Sequence, residues 1–96
     1  MPKVARVGDN CTGHGCWVPR PIPSGASRTF VNNKPVVRTG DDHAPHTCPI
    51  IPETHSGVCG EGSPNVIIEN AKAYRVGDPV SCGGVQAEGS PNVFVN

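Results

Sequence analysis

Four side chains able to ligate a metal ion recur at a common phase of this sequence: His14, His43, His46 and Cys82. His14 stands five residues after Asp9, His43 and His46 two and five residues after Asp41, and Cys82 four residues after Asp78. Each of those aspartates closes an Arg-x-Gly-Asp tetrapeptide, at Arg6, Arg38 and Arg75. If the three copies turn about one axis, the segments behind them converge, and three imidazoles with one thiolate are a normal tetrahedral zinc set, with bonds of about 2.0–2.1 Å to nitrogen and about 2.3 Å to sulfur. Glycines beside His14 and after Cys82 let the backbone come close. The competing reading is scattered surface histidines and a buried thiol.

The repeat that must position these residues is longer than the tetrapeptide. Gly25–Asp41 aligns with Gly62–Asp78 over its whole length, and Gly89–Asn96 begins the unit again. Such self-similarity marks a supersecondary unit that buries its apolar face only against its copies. Thirteen valines, five isoleucines and no leucine favour strands over helices. Twelve glycines and eleven prolines keep every element short. The expected hairpins are Thr29–Asn32 with Pro35–Arg38, and Val66–Ile68 with Ala73–Val76. Val4–Val7 reads as a first strand and Val93–Val95 as a last one. Pro19–Pro23 reads as an extended linker. Thr47–Cys59 reads as an irregular loop with His55 exposed, and a loop of that length in a small domain is usually functional or tied down. The Arg-x-Gly-Asp copies themselves read as strand-end turns, because adhesion recognition needs arginine and glycine adjacent.

Ninety-six residues make a single domain, 1–96, with a thin core. Eight basic and eight acidic side chains give a formal charge of zero, so no footprint for nucleic acid is visible. The N-terminal residues lack the apolar stretch of a signal peptide, which points to synthesis in the cytoplasm. Five cysteines, an odd number, do not make a fully paired secreted framework. Cys11 with Cys16, or Cys48 with Cys59, could pair, although free thiols are expected in a reducing compartment.

Three rival chemistries follow from the same residues. A zinc finger built from Cys11, Cys16, His43 and His46 has too long an intervening loop and no helical pattern. A zinc hydrolase would need an open coordination position and a base such as Glu53, whereas four converging protein ligands leave none. A secreted disulfide-rich binding module would need a signal peptide and paired cysteines. Asp42 is a candidate to orient an imidazole from behind.

Taken together, Lys3-Val-Ala-Arg6, Pro35-Val-Val-Arg38 and Lys72-Ala-Tyr-Arg75, each running into Gly-Asp, resemble a PAAR-repeat protein over essentially the whole chain. The resemblance implies an all-β, cone-shaped, pseudo-threefold fold of short strands and hairpins. It implies one structural zinc near the vertex on His14, His43, His46 and Cys82. It also implies a non-enzymatic tip on a trimeric β-helical spike, of a type VI secretion system or a contractile phage tail. Such a tip meets the target membrane mechanically and travels with an effector protein in some machines. The strands at Thr29–Asn32, Val66–Ile68 and Val93–Val95 are the candidates for docking on the spike.

Overall fold

The computed structural model describes residues 1–96. It contains no helix and six strands, β1 (Phe30–Val31), β2 (Lys34–Pro35), β3 (Asp42–Cys48), β4 (Glu53–Val58), β5 (Ile67–Ile68) and β6 (Ala71–Lys72). They form three separate antiparallel pairs of consecutive strands. The body measures 39 × 23 × 23 Å, and two equal transverse extents are what rotation about the long axis by thirds requires. The all-β, threefold architecture expected from the repeat is the one observed.

The three copies are joined by a closed ring of backbone hydrogen bonds. The Ala5 N–H donates to the Tyr74 carbonyl at 2.9 Å, the Tyr74 N–H to Val37 at 3.0 Å and the Val37 N–H to Ala5 at 3.0 Å. These residues occupy the same place in each copy, one before the arginine. One position earlier Val4, Val36 and Ala73 form a second buried layer, against which Val31, Val66, Ile68, Val93 and Val95 pack. The ring layer also takes in Ile22 and Cys59. The Val4, Val36 and Ala73 layer and the Ala5, Val37 and Tyr74 ring lie just outside β1–β6, in the segments that run into each Arg-x-Gly-Asp turn.

Each Arg-x-Gly-Asp copy is the same tight turn. Gly8, Gly40 and Gly77 have φ of 93°, 98° and 94°, a region glycine enters without the Cβ penalty. The aspartate accepts from the arginine backbone N–H and from its guanidinium, as in Arg6 to Asp9, where all three contacts lie between 2.9 and 3.0 Å. The side chains of Arg6 and Asp9 are only 11% and 6% exposed. Removing one partner of a buried pair strands the other charge, so Asp9→Ala should cost about 3–5 kcal/mol in urea unfolding. A loss below about 1 kcal/mol, the range of exposed ion pairs, would refute that reading.

The first hairpin turns through Asn32 and Asn33 and the second through Glu69 and Asn70, all four at positive φ. Two such residues define the type I′ turn that matches the strand twist, so both hairpins are tighter than the sequence suggests. Glu69 then reaches into the preceding copy, accepting from Thr29, Arg28 and Ser27. The Thr29 hydroxyl and the other donors hold its carboxyl down at about 2. The third hairpin has no turn: Lys3 pairs with Phe94, and the Val95 N–H donates to the Pro2 carbonyl at 3.0 Å.

Two expectations are corrected here. Thr47–Cys59 is largely a regular hairpin, β3 with β4, turning at residues 49–52. The cysteines do not pair within their own segments: Cys16 bonds Cys48, while Cys11, Cys59 and Cys82 are free. The loop after the first turn folds against the end of β3, which brings together two cysteines 32 residues apart.

Candidate metal centre

The post-turn segments do converge. His14, His46, His55 and Cys82 each place one ligand atom within 4.8 Å of all the others. The Nε2 atom of His55 lies 2.7 Å from that of His46 and 3.0 Å from that of His14, and Cys82 Sγ lies 3.9 Å from His46 Nε2. Arms of about 2.0–2.1 Å to nitrogen and about 2.3 Å to sulfur give a tetrahedral site nitrogen–nitrogen edges of about 3.3–3.4 Å and nitrogen–sulfur edges of about 3.5–3.6 Å; the two nitrogen pairs here are shorter than that and the sulfur pair is longer.

The proton inventory favours a cation between them. His46 Nδ1 sits 2.8 Å from the Val18 carbonyl, which can only accept, so Nδ1 carries the proton and Nε2 presents a lone pair to the centre. His14 and His55 turn Nε2 toward the same point, where one imidazole N–H can serve only one neighbour. Burial, and the charges of His55 and Arg20, lower the pKa of His14. Burial, Arg20, His55 and His14 lower that of His46 against the raising effect of the Val18 carbonyl. Both are thus biased toward the neutral, ligating form. The group could hold a metal ion.

His43 is not in the group. It and His46 are three residues apart, an odd step that would send them to opposite faces of a regular strand. A register irregularity between them turns both inward, at Pro45, which has no N–H to continue the ladder. His43 therefore pairs with Gly57, while His46 stands opposite His55. The His43 ring is 1% exposed and meets Tyr74 edge-on at 5.9 Å. Burial, Arg20 and His46 bring its pKa down to about 4, and neither ring nitrogen has a protein partner.

His55 and Trp17 are the residues the sequence reading missed. Trp17 stacks on His14 at 5.2 Å and on His55 at 4.8 Å, and its Nε1 donates to the Glu53 carbonyl at 3.0 Å. It covers the imidazoles and ties the first loop to β4. The available signal was Pro49-Ile-Ile-Pro52: a turn there places residues 46 and 55 opposite one another. Glu53 and Asp42 are exposed, and the residue behind His46 is Val18 rather than Asp42.

A pseudo-threefold β-body that gathers three imidazoles and a thiol beyond its repeated turns is a repeat-built structural protein with a group able to hold a metal. Residues 51–96 match the family model described as PAAR motif, which supports a PAAR-repeat protein. The motif supports a spike-tip type of structural protein in general. No curated protein matches the chain. The matched span contributes His55 and Cys82, and the fold brings His14 and His46 to them.

Proposed function

We propose that this protein caps and sharpens the trimeric β-helical spike of a contractile injection machine, without catalysis of its own, and assists membrane puncture and effector delivery. The observation that carries the reading is a threefold apolar end. Phe30, Ile67 and Phe94 occupy the same position in the three copies and are 58%, 59% and 45% exposed. Their neighbours Val31, Ile68 and Val95 are partly buried against the axial core. Three similar faces on one chain match the three identical strand ends of a trimer, and covering such ends removes an edge-pairing hazard.

The metal is zinc, one per chain, on His14, His46, His55 and Cys82. With four protein ligands the ion keeps no position for an activated water and acts as a structural staple, which a small core needs. The chain forms one domain, is made in the cytoplasm and acts at the tip of the assembled machine. Mixing it with a purified trimeric β-helical spike tests the reading by native mass spectrometry: one copy per spike trimer is expected. Three copies per trimer, or no complex, would contradict it.

A further inference from the structure

Arg20 is 4% exposed, yet no carboxylate balances it. The ion pairs of the molecule are the three Arg-Asp turns, and Arg20 spends its donors elsewhere. Nε donates to the Ala44 carbonyl at 2.8 Å, Nη1 to Cys11 Sγ at 3.0 Å and Nη2 to Cys82 Sγ at 3.2 Å. A guanidinium stays charged under all ordinary conditions, and a buried charge without a counter-charge is strongly unfavourable.

Cys11 is the group placed to supply the counter-charge. It is 1% exposed, its backbone N–H donates to the Arg20 carbonyl at 3.1 Å, and its sulfur also takes the Gly13 N–H at 3.4 Å. Two donors aimed at one sulfur suit an acceptor-only thiolate. Burial pushes this thiol up, but the hydrogen bonds from Arg20 and Gly13 and the guanidinium charge outweigh it and leave Cys11 below its ordinary value. Cys82, the second sulfur on the fork, faces the metal group and is spent on the ion in the metal reading, and the remaining groups around Arg20 supply no negative charge. Burial keeps His43 neutral at about 4, holds the Cys59 thiol at about 12 and pushes the Tyr74 hydroxyl up. Gly57 leaves the space: a Cβ there would lie 2.8 Å from Arg20 Nη2 and 3.0 Å from Cys82 Sγ.

We propose that Arg20 is a positioning residue behind the metal centre: Cys11, held as a thiolate, balances its charge, and the same planar fork fixes the Cys82 sulfur toward the three histidines. The second half rests on the metal reading above, and the first half does not. Lysine could not do the same, because a point charge has no rigid fork to span two sulfurs.

Raman spectra count protonated thiols through their S–H stretch. In zinc-loaded Cys59→Ala, with Cys82 coordinated, no S–H band is expected, and a one-thiol band would overturn the proposal. Adding Arg20→Gln should make the Cys11 band appear and weaken zinc binding, read by chelator competition, by about 10–100-fold. Arg20→Lys should keep the band silent while recovering only part of the affinity. Unchanged zinc affinity in folded Arg20→Gln would overturn the positioning role. Should the wild-type chain bind no zinc, the metal reading fails. Cys59→Ala/Cys82→Ser, whose one free thiol is Cys11, then decides the first half alone: a silent spectrum upholds the thiolate and a band overturns it.

Discussion

His55→Ala should release the metal, taking the zinc content from about one per chain to near zero. His55 is the hub of the group, with its Nε2 2.7 and 3.0 Å from those of His46 and His14. No other donor atom stands ready to replace it. Since the unfolded chain holds no such site, binding free energy is largely folding free energy. If the ion contributes even about 3 kcal/mol, the melting midpoint falls by roughly 12–24 °C in a domain this size. Chelation of the wild-type protein should reproduce the shift, and His46→Ala should behave like His55→Ala. His43→Phe, which keeps a ring against Tyr74, should retain the metal. Metal kept by His55→Ala but lost from His43→Phe would restore the ligand set that the sequence alone suggests.

The second large effect lies at the opposite end of the chain's three repeats. Phe30→Asp, Ile67→Asp and Phe94→Asp together should abolish capture by a trimeric β-helical spike while leaving the fold intact, since all three side chains are exposed. A central apolar anchor is worth about 2 kcal/mol or more in an interface, so each substitution should weaken binding roughly 30-fold. Titration calorimetry against the spike, with circular dichroism as the folding control, reads the result. Undiminished affinity of the triple variant would remove the apolar end from the docking surface.

The repeat, the strand class and the convergence of the post-turn segments were legible in the sequence because they follow from pattern alone. Arginine, glycine and aspartate recur at fixed spacing, and β-branched residues precede them. Three of the four clustered side chains, His14, His46 and Cys82, follow from that phase. The exchange of His55 for His43 does not, because it turns on one irregularity at Pro45 and one turn at residues 49–52. Counting from the last Gly-Asp gives both histidines of β3 equal standing, and only strand register separates them. The Cys16–Cys48 bond was hidden for a related reason: it joins two segments that no repeat relates. Arg20 was invisible because a lone arginine in a proline-rich stretch carries no pattern, and its role comes from two sulfurs placed by separate copies.

The ring of hydrogen bonds through Ala5, Tyr74 and Val37 has no first or last member from which to fray. Opening any one of the three links leaves the other two attached to a copy that has lost its neighbour, so local excursions gain little backbone freedom. The three amides should therefore exchange their hydrogens with deuterium at one common rate, that of global unfolding, rather than in a graded series. Exchange mass spectrometry or NMR showing one of them released well before the others would mean that the copies come apart one at a time. Under load along the long axis, a closed ring would share force among its copies and fail as a unit.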